Sequence, residues 1–200
     1  MIQNNNWQWY MSKPNFFTND ECDELVERIK NTEKSEQGCL DDHFGDDHNT
    51  DFRNVTEWYL HKDMRDYVVG DYSSLQQNLF IAAKMCNHLS WNLHIQEPEN
   101  NMKLIEYKSD NFYTWHSDFN NGMSSRRKLV TILQLSDPSE YEGGSTQLAI
   151  QDPKTLEFYE MPKEKGTLLI FCPLLFHRVT PVTSGVRYSL QEFIIGNTFV

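Results

Sequence analysis

His116 and Asp118 stand two residues apart in the run Phe112–Asp118, whose aromatic residues and threonine favour a strand. Side chains at i and i+2 leave an extended chain on the same side, so an imidazole and a carboxylate can reach one metal ion without a bend in the backbone. A third ligand is needed, and His177 is the best placed, because it follows the apolar run Thr167–Cys172 and lies in a second strand-like stretch. Two imidazoles and a carboxylate on one face of a metal leave the opposite positions open, a ligand set that suits non-haem iron(II). A His-x-Asp pair alone is weak, since a histidine on a partly apolar strand is more often packed and hydrogen-bonded than a ligand.

Arg187 adds weight. It follows His177 across Pro181–Gly185, a segment able to turn the chain back, so the two are expected on neighbouring antiparallel strands facing one interior. There a guanidinium is costly unless paired with an anion. That anion is either a protein carboxylate or the far carboxylate of a small diacid, gripped by the two-pronged fork that arginine offers. Ser189, two residues on and on the same strand face, can add a hydroxyl donor.

The elements that must carry these residues are legible from period and punctuation. Thr18 and Glu21 form a capping box, and Cys22, Leu25, Val26 and Ile29 follow at helical spacing, predicting a surface helix that ends before Gly38. Residues Glu33–Asp51 are polar and acidic and read as a solvated loop, with Asp42, His43, Asp46 and His48 as its possible cation ligands. Val55–Leu60 reads as a short strand, followed by a turn or short helix around Lys62–Val69. Ser73 with Gln76 suggests a second capping box, and the apolar spacing of Leu75, Leu79, Ala82, Cys86, Leu89 and Leu93 predicts a helix over Ser74–Trp91 lying on a sheet.

From Met102 onward the period changes to that of strands: Met102–Tyr107, Phe112–His116, Lys128–Leu135, Ser145–Ile150, Leu156–Tyr159, Thr167–Cys172, Arg178–Val179 and Val186–Ile195. Gly143-Gly144 and Gly185 read as turns between them. So many short strands predict a mainly β fold with flanking helices and a two-sheet jelly-roll or barrel core. The 200 residues are expected to form one domain, with helical and loop support over about 1–100 and the core over about 101–200.

The formal charge of -11 is unevenly placed, with 13 acidic against 5 basic residues in Met1–Leu60. Attachment to nucleic acid or an anionic membrane is disfavoured by that field. Cys22, Cys39, Cys86 and Cys172 are scattered without metal-type spacing, which predicts free thiols in a reducing compartment. With no apolar leader or long apolar run, the expected location is cytoplasmic.

Tyr107, Phe112–Asp118, Arg127–Ser136, Asp137–Gly144, Gly166–Cys172, His177–Val182 and Gly185–Leu190 occur in an order and spacing that are themselves diagnostic. From Leu104 to Ile195 the chain resembles iron(II)- and 2-oxoglutarate-dependent dioxygenases, most closely the prolyl 4-hydroxylase-like branch and its PKHD-type relatives. The resemblance implies a double-stranded β-helix (cupin-like) core, Fe(II) held by His116, Asp118 and His177, and Arg187 on the C5 carboxylate of 2-oxoglutarate. It makes Tyr107 a further donor to the cosubstrate, Gln134 a cofactor-side residue where relatives often carry Tyr, and Leu148 a packing residue against the diacid. Asp118, a carboxylate and not Ala or Gly, argues against the halogenating members. Arg53, Trp58 and Arg127 are substrate-side candidates on the same footing.

The implied reaction hydroxylates a C–H bond with O2 while 2-oxoglutarate becomes succinate and CO2, with ascorbate as an accessory reductant to test. The implied substrate is a peptidyl proline, with the loop Asp41–Asp51 folding over it. A free amino acid or small metabolite, or a non-catalytic jelly-roll binding module, are the alternatives.

Overall fold

The computed structural model describes residues 7–38, 50–69, 73–150 and 158–198. Two antiparallel sheets dominate. The larger runs, in spatial order, through Tyr10–Lys13, Leu168–Phe171, Arg127–Gln134, Arg187–Gly196, Lys103–Tyr107, Thr56–Tyr59 and Ser35–Gln37, with Ile95–Pro98 pairing on the far end of Arg187–Gly196. The smaller runs through Phe158–Glu160, Thr146–Ala149, His177–Val179, Phe112–His116 and Arg53–Asn54.

The strand Arg187–Gly196 shows how alternation divides the molecule. Leu190 and Ile194 face the helices and join the main apolar cluster. Arg187, Ser189 and Gln191 face the other way and line a cavity, and Phe193 joins a second cluster with Val130, Leu148 and Phe171. One face of this strand therefore anchors the helices while the other builds the site.

Helix α1 spans Asn19–Thr32, and its capping box is formed as expected. The Glu21 amide donates to Thr18 Oγ1 at 3.2 Å and the Thr18 amide to Glu21 Oε2 at 2.7 Å. Cys22, Leu25 and Ile29 are its buried stripe. The chain enters α1 over Gly166, whose carbonyl accepts from the amides of Phe16 and Phe17. A Cβ at Gly166 would stand 2.0 Å from the Phe17 carbonyl oxygen, so only glycine permits that approach.

Helix α2 is a single turn, Lys62–Arg65, and α3 spans Leu75–Leu89. The cap of α3 is Ser74, which accepts from the Gln77 amide at 3.3 Å, one position later than the expected Ser73 and Gln76 pair. Leu75, Leu79, Ala82, Ala83 and Cys86 are buried, whereas Leu89 is exposed because the helix ends there. Each buried leucine contributes on the order of 2 kcal/mol to holding α3 on the sheet. Among the described residues no helix is long and apolar enough to cross a membrane.

The expectation of a mainly β fold with flanking helices holds. Three details differ. The ladders of the described residues form open sheets and do not close into a barrel. Pro181–Gly185 is more than a turn: Val182–Gly185 pairs with Tyr141–Gly143 as a two-stranded ribbon. As a result His177 and Arg187 lie in opposite sheets, not on neighbouring strands. Ser35–Gln37 is a strand within the segment expected to be a loop, and Tyr10–Lys13 and Ile95–Pro98 are strands for which no element was expected; most of the loop Glu33–Asp51, including Cys39, Asp42, His43, Asp46 and His48, lies outside the described residues. Cys22, Cys86 and Cys172 are free and buried.

One carboxyl sits on the helix-facing side without full compensation. Glu192 is buried, accepts from Gln76 Nε2 at 2.8 Å, and its Oε1 has no partner. Burial pushes its pKa from an ordinary 4.5 up to about 7. A raised carboxyl pKa means that its contribution to stability is fully present below the unfolded value and is lost as pH rises through the folded value. Thermal unfolding of Glu192→Gln should therefore gain on wild type as pH rises from 5 to 8.5, by an amount on the order of 3 kcal/mol at full ionisation. A gap between the two midpoints that does not change with pH would contradict this.

Candidate metal centre

His116 ends the strand Phe112–His116, and His177 begins the strand His177–Val179; the two are register partners in the smaller sheet. Pairing across an antiparallel ladder brings their rings to 4.1 Å between centroids. Asp118 lies just past the strand end, where its amide donates to the Pro173 carbonyl at 3.0 Å. That bond ties the Asp118 segment to the loop leading into His177. Asp118 Oδ1 is then 3.6 Å from His116 Nε2 and Asp118 Oδ2 is 3.2 Å from His177 Nε2.

Each histidine is oriented in the same way. His116 Nδ1 is 2.8 Å from the carbonyl of Thr114 and His177 Nδ1 is 3.0 Å from that of Leu175. Both Nδ1 atoms donate to a carbonyl two residues back, which leaves both Nε2 lone pairs turned toward Asp118. All three side chains are buried, and their candidate ligand atoms lie within 4.8 Å of one another.

Burial, then the neighbouring His177, lowers the His116 pKa to about 3, so its imidazole is neutral. For Asp118 burial opposes ionisation, but His177 outweighs it and holds the carboxyl below the usual range. Burial likewise works against charge on His177, and the Asp118 carboxylate reverses the balance and raises its pKa. Even so, His116 Nε2 and Asp118 Oδ2 are buried without a hydrogen-bond partner. Such orphaned acceptors are expensive in a protein interior. A divalent ion would satisfy both, and two imidazoles with one carboxylate fit iron(II).

The opposite wall holds Arg187. It is 1% exposed, and its Nη2 donates to Gln134 Oε1 at 3.0 Å and Thr146 Oγ1 at 3.1 Å. Nε and Nη1 are buried without partners, and among the described residues Arg187 makes no ion pair. The ring of Tyr107 lies 5.1 Å from the guanidinium carbon. Between Arg187 and the two histidines is a small cavity of about 20 Å³, with Ile105, Ile132 and Val179 among its apolar walls. Room for the arginine stem depends on Gly144, at φ +57°, because a Cβ there would stand 3.1 Å from Arg187 Cδ and 2.9 Å from Val182 Cγ2.

Most of the expected residues therefore converge. His116, His177, Arg187, Tyr107 and Ser189 line the cavity, and Gln134 supports Arg187 from behind. Leu148 does not line it, and packs instead with Val130, Phe171 and Phe193 in the cluster beneath. Trp58 is an indole of the main core. Arg53 is ion-paired with Glu57, while Arg127 is held by Glu99 at 2.9 Å and donates to the Asp118 carbonyl at 3.3 Å. None of these three substrate-side candidates lines the cavity. The loop expected to cover the substrate lies largely outside the described residues.

Sequence reasoning missed Tyr113, Thr146 and Gln191 as cavity residues. Strict alternation from His116 puts Tyr113 on the opposite face. A bulge, pairing Tyr113 with Val179 but His116 with His177, sets three steps against two and returns the tyrosine to the cavity side. Trp115 does obey alternation, packing outside against Phe158 and Arg178.

A buried group of two histidines and one carboxylate that could hold a metal ion faces Arg187 across one cavity. Comparison with known proteins agrees. Residues 102–195 match the family model described as the 2OG-Fe(II) oxygenase superfamily. The chain is 38% identical over 82 residues to a PKHD-type hydroxylase of Synechococcus sp. (strain CC9605), covering 41% of this chain and 36% of that protein. It is 32% identical over 124 residues to one of Prochlorococcus marinus, covering 60% and 54%. Among solved structures, a Trichoplax adhaerens prolyl hydroxylase in complex with a hypoxia inducible factor peptide fragment aligns at TM-score 0.73 and 17% identity, over 94% of this chain and 84% of that one. A Pseudomonas putida prolyl-4-hydroxylase aligns at TM-score 0.67 and 16% identity, over 94% and 93%. Over residues 102–195, just under half of its length, the chain resembles the 2OG-Fe(II) oxygenase superfamily, and the relatives it matches include PKHD-type hydroxylases. It spans about a third to a half of the length of these two PKHD-type relatives.

Mn(II) at about 100 times its dissociation constant should stabilise the chain by about 2.7 kcal/mol, a rise in Tm of roughly 5 to 10 °C at this length. His116→Ala should abolish the rise. Equal shifts in both proteins would place the ion elsewhere.

Proposed function

We propose that this chain is an Fe(II)- and 2-oxoglutarate-dependent hydroxylase that oxidises a prolyl residue of a peptide or protein. The observation that carries the cofactor assignment is Arg187: a fully buried guanidinium with two unpartnered donors, facing orphaned metal-ligand atoms across one cavity. Its paired alternative, a protein carboxylate, is absent among the described residues. In this reading His116, Asp118 and His177 hold Fe(II), and the two main sheets are the halves of a double-stranded β-helix in a single domain.

Bound Fe(II) would supply the coordination positions at which 2-oxoglutarate and O2 react, yielding succinate and CO2 and placing one oxygen atom on a substrate C–H bond. The chain's own residues bind and orient. Gln134 and Thr146 fix Nη2 of Arg187, which leaves the donors of Nε and Nη1 for the far carboxylate. The ring face of Tyr107 supports that guanidinium, and the hydroxyl of Ser189 lies along the same wall. Ile105, Ile132 and Val179 exclude water, which strengthens the ionic grip on the diacid.

The prolyl substrate is supported by the shared fold of the two prolyl hydroxylases above and by the PKHD-type relatives. Fe(II), 2-oxoglutarate and O2, with and without ascorbate, should yield succinate faster when a proline-containing peptide is present, and the peptide should gain the mass of one oxygen atom. Stimulation by free proline or another small metabolite, with no mass gain on any peptide, would overturn the substrate assignment. Tight ligand binding with no turnover would favour a binding module. Arg187→Lys should raise the KM for 2-oxoglutarate by about tenfold or more, because a point charge replaces a fork. An unchanged KM would show the diacid to lie elsewhere.

A further inference from the structure

Against His116 lies a stack of side chains, beginning with the cavity residue Tyr113, to which the metal and diacid assignments give no role. The ring of Tyr113 lies on the imidazole of His116, with centroids 3.4 Å apart and planes 13° from parallel. On Tyr113 in turn sits the guanidinium of Arg53, its carbon 4.6 Å from the ring centroid. The edge of the stack is closed by Phe52, whose ring meets Tyr113 at 5.8 Å and 75°.

Arg53 is itself anchored. It is 3% exposed and ion-paired with Glu57, which is wholly buried. Glu57 also receives Lys103 Nζ at 3.0 Å and the Tyr59 hydroxyl at 3.2 Å. Gly38 closes over the group: a Cβ there would lie 3.3 Å from Arg53 Nη1 and 3.2 Å from Glu57 Cδ. Three charges so deeply buried are a poor source of stability, since desolvation offsets most of their attraction. They do fix a position, and what they fix touches a metal-ligand candidate.

We infer that Tyr113, clamped by Arg53, is a positioning residue that sets the plane of His116 and so aims its Nε2 lone pair at the metal. The inference rests on the reading of His116, Asp118 and His177 as metal ligands. The carbonyl of Thr114 fixes the ring within its plane through Nδ1. It leaves the tilt of that plane free, and a flat aromatic face held against the imidazole removes the tilt. His177 needs no such device, because Phe171 meets its ring edge-on at 4.9 Å from within the core. Tyr113 reaches this place only through the bulge in its strand.

The test is titration of the metal-free chain with Co(II) under nitrogen, read by the visible absorption of the bound ion and not by turnover. Tyr113→Phe keeps the flat face and should bind with wild-type affinity and band shape. Tyr113→Leu should weaken binding by about tenfold or more and alter the band. Arg53→Met should weaken binding severalfold in the wild-type background and cause no further loss beside Tyr113→Leu. Wild-type affinity and band in Tyr113→Leu, or equal losses in Phe and Leu variants, would overturn the assignment. If Tyr113→Leu fails to fold by circular dichroism, Arg53→Met decides: a severalfold loss supports the stack, and unchanged affinity overturns it. Failure of the wild-type chain to take up one equivalent of Co(II) would overturn the metal centre itself, and this inference with it.

Discussion

The structure depends on two sheets holding, at fixed distance, groups whose electrostatics are incomplete. On one side three ligand atoms converge with buried acceptors unsatisfied; on the other a buried guanidinium keeps two donors unpaired. In an ordinary core either feature would cost stability without return, and packing would be expected to relax it away. Here the surroundings prevent relaxation. Gly144 leaves room for the Arg187 stem, Gln134 and Thr146 occupy one of its nitrogens, and carbonyls two residues back direct both histidines. The cost is that of a site prepared for an ion and an anion arriving together.

Sheet geometry turns that cost into selectivity. In the proposed reading the smaller sheet carries the metal side and the larger the diacid side, so the packing between them would set the span that a ligand must bridge. The α1 and α3 helices contribute from outside, covering the far face of the larger sheet and letting its inner face carry polar groups. Glu106 marks the boundary on that outer face, bonded to Tyr188 at 2.6 Å and to Lys108 at 2.8 Å, which satisfies a carboxylate the apolar layer could not otherwise accept.

Much of the site was legible because its chemistry is local in sequence. His116 and Asp118 are separated by the strand period, and the box of Thr18 and Glu21 announces α1 without tertiary information. What escaped depends on long-range pairing. The bulge that brings Tyr113 beside His116 exists only in the partnership with His177–Val179. Placing Arg187 opposite His177 required Pro181–Gly185 to be read as part of a ribbon with Tyr141–Gly143, although its proline and glycine resemble those of a plain turn. The slip of one residue at the cap of α3 has a simpler origin, since Ser73 and Ser74 are each followed three positions later by glutamine and only the backbone distinguishes them. Trp58 was assigned by resemblance to the substrate side, and the alternation of its own strand sends it into the core while Glu57 faces inward.

If the unpaired arginine and the orphaned ligand atoms form one site, metal and diacid must bind with mutual dependence, and by equal factors in both directions. Isothermal titration of 2-oxoglutarate with and without Mn(II), paired with titration of Mn(II) with and without 2-oxoglutarate, measures that coupling directly. The account predicts one equivalent of each and an affinity for either that rises by the same factor when the other is bound. Independent binding, or 2-oxoglutarate binding that survives unchanged without the metal, would contradict it.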